Sequence, residues 1–142
     1  NDEWIFFSNY NSPKSKQFES HDQISAVIYW NSINVQIRMK AKIQKTNSEF
    51  SNEHFQSRDM TKNLLAILSR QSEPMSSYDD FLKNYEKDLS LKFENVTRPE
   101  YWGGFSFSPY YFEFWEGHNS RVNKRKFYEL KNQEWKSGFL QP

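Results

Sequence analysis

The spacing of apolar and polar residues along the chain predicts strands toward both ends and helices between them. Residues 4–8, which hold Trp4-Ile5-Phe6-Phe7, read as a first strand, broken by the turn-forming run Asn9-Tyr10-Asn11-Ser12-Pro13. Ser12 is placed to cap a helix that starts on Pro13 and carries Lys14 in its first turn. Backbone N–H groups at such a helix start attract phosphate, although a cap that only begins a helix is the plainer reading. Residues 24–30 form a nearly continuous apolar run. After the turn Asn31-Ser32-Ile33-Asn34, the alternation of Val35, Ile37, Met39, Ala41 and Ile43 with Gln36, Arg38, Lys40, Lys42 and Gln44 predicts a hairpin with one wet face.

Thr46-Asn47-Ser48-Glu49 has the form of a capping box and opens a helix toward Phe55, with a second helical stretch over residues 60–68. Ser77 caps a third helix over residues 78–93, where Phe81, Tyr85 and Leu89 recur every four residues and define a buried core stripe. From Tyr101 the pattern returns to β, with strands over residues 104–108, 110–115, 121–130 and 135–140. A Ser-Pro turn, Glu116-Gly117-His118-Asn119 and Lys131-Asn132-Gln133-Glu134 separate them. Strands, a helical insert and strands again imply an α+β domain, mainly β, built around a barrel-like antiparallel sheet.

Composition narrows the function. The 142 residues suit a single domain over residues 1–142. Nineteen Lys and Arg against eighteen Asp and Glu give a formal charge of +1, so no global basic field gathers nucleic acid or an anionic membrane, and any anion site is local. Aromatics make up 18% of the chain against 36% for all hydrophobic residues, which argues for a core of bulky rings and against disorder. The absence of cysteine excludes disulfides, thiolate nucleophiles and Cys-ligated metals, and it suits a reducing, cytoplasmic setting. The apolar runs are far shorter than the ~20 residues of a membrane span, and the chain shows no signal-peptide pattern. His21, His54 and His118 lack metal-ligand spacing, so no metal site is expected. Gly103, Gly104, Gly117 and Gly138 sit in no strand-to-helix phosphate loop, and no Gly-x-Ser-x-Gly elbow occurs, which removes dinucleotide-loop and serine-hydrolase readings. Asn95-Val96-Thr97 matches a glycosylation sequon and is read as chance.

Two basic constellations remain. His54, Arg58 and Lys62 are spaced to share one face if a helix runs through Asp59. Arg121, Lys124, Arg125 and Lys126 lie on the expected strand over residues 121–130, with Arg121 and Arg125 on one face. Solvated faces account for most such runs, yet Trp115 and Arg125 on either side of one turn set an aromatic plane beside a guanidinium, which suits a flat anionic ligand.

Phe6-Phe7-Ser8-Asn9-Tyr10 with Ser12 and Lys14, Gln36, Phe55-Gln56-Ser57-Arg58, Ser69-Arg70-Gln71-Ser72, Trp102-Gly103-Gly104-Phe105, Glu113-Phe114-Trp115 and Arg121-x-x-x-Arg125 occur in this order. The set resembles the pyridoxine (pyridoxamine) 5′-phosphate oxidase family from about Trp4 to Pro142. The resemblance implies an FMN-binding split β-barrel homodimer that oxidises pyridoxine or pyridoxamine phosphate to the aldehyde and passes electrons to molecular oxygen. It implies FMN contacts at Phe7, Ser8, Lys14, Gln36, Gln71, Ser72, Trp115 and Arg125. It implies contacts to a phosphate-ester substrate at His54, Arg58, Lys62, Arg121 and Asn123, with Arg121 and Asn123 nearest the reaction. Several positions depart from the family's pattern. Pro13 replaces an Arg, His54 a Tyr, Asp59 a Pro, Lys62 a Ser and Asn123 a His. Nothing precedes Trp4 that matches the family's two earlier strands, so a fragment of a longer protein is the expected reading. The alternatives are a related flavin oxidase on another flat anionic substrate, as in phenazine biosynthesis, and a dimer that binds FMN or pyridoxal phosphate without turnover.

Overall fold

The structure is a computed structural model that describes residues 3–90 and 96–142. In chain order the elements are β1 (Trp4–Asn9), α1 (Pro13–Ser20), β2 (Gln23–Trp30), a 3-10 turn (Asn31–Ile33), β3 (Val35–Lys45), α2 (Ser48–Ser57), α3 (Met60–Leu68) and α4 (Tyr78–Ser90). They are followed by β4 (Trp102–Glu116), β5 (Lys124–Lys131) and β6 (Glu134–Leu140). The strands follow the order β2-β3-β4-β5-β6 with β1 paired to β4, an open sheet whose β2–β3, β4–β5 and β5–β6 pairs are antiparallel. The α+β, mainly β expectation holds.

The chain divides into two compact units. One holds Trp4, His21–Gln44 and Ser106–Pro142. Here the alternation along β3 works as the pattern predicts: Ile37, Met39, Ala41 and Ile43 are buried while Arg38, Lys40 and Lys42 are exposed. Asn34 closes the β2–β3 hairpin in the left-handed region at φ 51°, a conformation that asparagine tolerates better than most residues. The strands expected over residues 104–108 and 110–115 are one continuous strand, β4. The proline expected to break it, Pro109, lies past the end of the β5 ladder, which starts at Tyr111, so its missing N–H costs no bond to β5. β5 also starts three residues later than the pattern suggests, at Lys124.

The other unit holds Ile5–Ser20 and the described residues of Lys45–Phe105. Its centre is aromatic. Phe105 is fully buried and meets Phe6 at 5.5 Å, Tyr10 at 5.3 Å and Phe18 at 5.2 Å between ring centroids, the last two edge to face. Truncating such a ring typically costs about 3–5 kcal/mol. Gly103 is required by close approach, since a Cβ there would fall 2.2 Å from the Tyr10 hydroxyl. Helix α1 begins on Pro13 as expected, with the buried Ser12 hydroxyl bonded to that of Ser15 at 3.0 Å. Asn47 rather than Thr46 caps α2, its Oδ1 accepting from the Phe50 N–H at 2.7 Å. Ser77 caps α4, accepting from the Asp80 N–H. The Phe81, Tyr85, Leu89 stripe is half-buried rather than buried core. It packs on α3, with the Tyr85 hydroxyl donating to the Thr61 carbonyl at 2.9 Å. The end of this helix expected over residues 91–93, and Asn95 of the sequon, lie outside the described residues.

Candidate functional site

The expected site residues fall into two groups, one in each unit. In the unit centred on Phe105, Arg58, Lys62 and Gln71 line one cavity of about 210 Å³ together with Asn9, Leu65, Ala66, Ser69 and Trp102. The helix expected to carry His54, Arg58 and Lys62 as one stripe does not run through Asp59. Helix α2 ends at Ser57, and Asp59 caps α3, accepting from the Thr61 N–H at 2.8 Å and from the Thr61 hydroxyl. An aspartate competes with the helix for its own backbone donors, so the helix breaks there and restarts. Arg58 and Lys62 nevertheless meet at the cavity, with Arg58 Nη2 donating to the Lys62 carbonyl at 3.4 Å.

His54 goes elsewhere. Its imidazole stacks on Phe7 with centroids 3.6 Å apart and planes 7° from parallel, and Phe7 stacks in turn on Trp102 at 5.3 Å. The Arg58 guanidinium lies 4.5 Å over the Trp102 ring. Burial and the neighbouring Arg58 charge hold the His54 pKa below its ordinary value, so His54 contributes a flat neutral ring and not a third cation. Phe7 has its ring committed to this stack. Ser8, next to it on β1, has a buried hydroxyl with no hydrogen-bond partner among the described residues, and Arg58 Nη1 is likewise buried without one among them. Gln71 Oε1 accepts from the Asn9 N–H at 3.2 Å, and Ser72 stands in the left-handed region at φ 70°. Lys14 is exposed on the first turn of α1. Trp102 and Asn9 join this cavity without being expected site residues. The signal for Trp102 was the Trp-Gly-Gly sequence, whose glycines allow the chain to pack tightly behind it.

In the other unit, Trp115 on β4 and Arg125 on β5 are directly paired across the strands, so both side chains lie on one face. Glu113 shares that face and takes Arg125 Nε at 2.8 Å and Arg38 Nη1 at 3.7 Å. Gln36 precedes Arg38 on the same side of β3 and accepts from its Nε. Gln36, Trp115 and Arg125 therefore share one sheet face, together with Glu113, which the residue pattern did not single out as a site residue. Arg121 is a correction: it lies in the turn before β5 at φ 63°, not on the strand, so strand alternation does not tie it to Arg125. The turn is held by the Arg121 N–H donating to the His118 carbonyl and by Asn123 Oδ1 accepting from the His118 N–H at 3.0 Å. Arg121 and Asn123 still meet, lining a cavity of about 280 Å³ with Asn34, Trp115, Gly117, His118 and Asn119. Among the described residues no group of three His, Cys, Asp or Glu could hold a metal, and no helix is long and apolar enough to cross a membrane.

Residues 102–142 match the family model of the pyridoxine 5′-phosphate oxidase C-terminal dimerisation region. Over 144 residues the chain is 34% identical to the pyridoxine/pyridoxamine 5′-phosphate oxidase 1 of Hydrogenovibrio crunogenus, covering 99% of this chain and 67% of that protein. The chain belongs to the pyridoxine/pyridoxamine 5′-phosphate oxidase family. It is also 33% identical to the family member of Rubrobacter xylanophilus, covering 98% of this chain and 64% of the relative. The chain thus spans about two thirds of the length of the curated relatives it matches. Among solved structures it superposes on PhzG of Burkholderia lata 383, solved with tetrahydrophenazine-1-carboxylic acid, with a TM-score of 0.82 at 21% identity, covering 97% of this chain and 68% of that one. A pyridoxamine 5′-phosphate oxidase-related, FMN-binding protein of Nostoc punctiforme gives a TM-score of 0.73 at 14% identity, covering 99% and 73%. These likenesses establish the split-barrel fold of the family.

Proposed function

We propose that this chain forms part of an FMN-dependent oxidase that converts pyridoxamine or pyridoxine 5′-phosphate to pyridoxal 5′-phosphate with oxygen as acceptor. The observation that carries the reading is the meeting of Arg58, Lys62 and Gln71, separated in sequence, at one cavity beside Trp102. The residues present fit a phosphorylated flavin. The buried Ser8 hydroxyl lacks a partner among the described residues, Gln36 and Gln71 supply amides, and Trp115 and Arg125 offer a plane beside a cation. When bound, FMN supplies the redox chemistry, accepting an electron pair from the substrate and passing it to oxygen. Lys14 and Arg125 supply positive charge for the cofactor, and Phe7 and Ser72 shape its surroundings. Arg58 and Lys62 bind the substrate's phosphate as charge-assisted donors. His54 backs them as a neutral ring. Arg121 and Asn123 hold the substrate ring, and Asn123 does so by hydrogen bonding alone, since an amide carries no proton across neutral pH. A homodimer, in keeping with the dimerisation-region match, and a cytoplasmic setting belong to the same reading.

Oxygen uptake with pyridoxamine phosphate and an FMN titration test it. We expect FMN to bind more tightly than riboflavin, and oxidation to be slow because of the departures at His54, Lys62 and Asn123. We expect Arg58→Ala to raise KM about tenfold with little change in kcat, and Arg121→Ala to lower kcat. Equal affinity for riboflavin and FMN removes the phosphate-anchoring roles. The three departures also support a second reading, oxidation of another flat anionic compound such as the ligand seen with PhzG. FMN binding without oxidation of any B6 phosphate favours that reading, or a dimer that binds without turnover.

A further inference from the structure

The strand that carries Trp115 also carries a carboxylate in an unusual position for a charged group. Glu113 is 5% exposed, and buried carboxylates persist when paired and hydrogen-bonded. Its Oε1 accepts from Arg125 Nε at 2.8 Å and faces Arg38 Nη1 at 3.7 Å, and its Oε2 accepts from the Tyr111 hydroxyl at 3.4 Å. The register explains the reach. Arg125 pairs across the strands with Trp115, and Glu113 lies one same-face step back, so the guanidinium leans diagonally toward the carboxylate. Arg125 Nη1 donates to the Gln141 carbonyl at 3.0 Å. Two of the three guanidinium nitrogens are thus fixed by the protein, and Nη2 is left as the donor the described residues do not engage.

We propose that Glu113 is a positioning residue for the cofactor: it clasps Arg125 by its Nε edge and holds the free donor beside the Trp115 plane, where the flavin binds. The inference rests on the flavin reading given above. A planar guanidinium held at two nitrogens has lost most of its rotamers before the ligand arrives, which lowers the ordering cost of binding. The pair also reinforces itself, since the hydrogen bond to Arg125 keeps the Glu113 carboxyl ionised below the ordinary range. Against a purely structural role stands the count of charges, because one carboxylate meets two guanidinium groups and leaves the face with positive charge to offer an anion.

The test is a double-mutant cycle on the intact protein, read by quenching of FMN fluorescence. Glu113→Gln is expected to weaken FMN about tenfold, and Glu113→Gln with Arg125→Met to bind no more weakly than Arg125→Met alone. Additive losses, or wild-type affinity in Glu113→Gln, overturn the proposal. If Glu113→Gln folds poorly because Arg38 and Arg125 then repel, adding Arg38→Gln should restore the thermal transition while FMN stays weak. Recovery of wild-type FMN affinity in that variant reduces Glu113 to charge balance and overturns the proposal. A second readout needs no flavin. The Arg125 Nε–H should exchange slowly with solvent in ¹H–¹⁵N spectra of the wild type and rapidly in Glu113→Gln. If the wild type binds no FMN, the flavin reading fails, while this signal separately decides whether the clasp exists.

Discussion

At the scale of single residues, neighbouring groups differ in their protonation behaviour. His54 lies flat on Phe7 with its pKa lowered first by burial and then by Arg58, so the folded protein keeps it neutral where the unfolded chain has already taken a proton. The sign follows: this contribution to stability is complete above the ordinary histidine value of 6.5, falls as pH drops below it, and stops falling once the folded form also protonates. The depressed carboxylates of Glu113 and Asp59 act in the same direction but at lower pH, below their ordinary values of 4.5 and 3.8. Urea unfolding of the wild type and of His54→Phe between about pH 8 and pH 5 separates the two. We expect the wild type to lose stability over this range more steeply than His54→Phe, which keeps the stacked ring without the titration. Parallel curves would show that His54 titrates as freely in the folded protein as in the unfolded one.

At the scale of elements, what the sequence revealed and what it concealed follow a physical division. The strand β3 was legible because one face is wet and the other buried, so the period of two is written in residue type. β4 was legible as two strands but not as one, because whether Pro109 breaks a strand depends on which neighbour needs its N–H, a fact of the ladder and not of the strand itself. The meeting of Arg58 with Lys62 was anticipated through a continuous helix, yet it arises from a break at Asp59. Spacing put the residues together, while the mechanism of the turn stayed hidden. Glu113 was missed for a similar reason, since a buried acid announces itself only through its partners. The hairpin between β5 and β6 offers a test at this scale. Lys131 pairs with Glu134, and the two loop residues between them, Asn132 and Gln133, have φ of 52° and 66°. Asparagine tolerates this left-handed backbone at lower cost than glutamine, so the loop carries the geometry of an Asn-Gly turn without its glycine. Gln133→Gly is expected to stabilise the protein by about 1 kcal/mol, read as a higher unfolding midpoint. An unchanged or lower midpoint would show that the glutamine side chain contributes more than its backbone costs.

At the scale of the whole molecule, one face of the β4–β5–β6 sheet carries a row of aromatic rings, two of them well exposed. Phe112 packs on Trp135 at 5.7 Å and Phe114 on Tyr128 at 5.9 Å, and the register continues this face to Phe139. Trp135 is 48% exposed and Phe139 67% exposed, and both lie on β6, an edge strand within the segment that matches the family's dimerisation region. Rings on an unprotected edge invite association, and a symmetric pair of chains is the commonest way to cover them. We therefore expect light scattering at micromolar concentration to return twice the mass of one chain. A single Phe139→Glu substitution should shift the population toward monomer, because each dimer then buries two charges facing the same interface. FMN binding should fall with it if the flavin site draws on both subunits. A wild-type monomer that still binds FMN would separate the cofactor site from assembly and leave the exposed rings of β6 to some other partner.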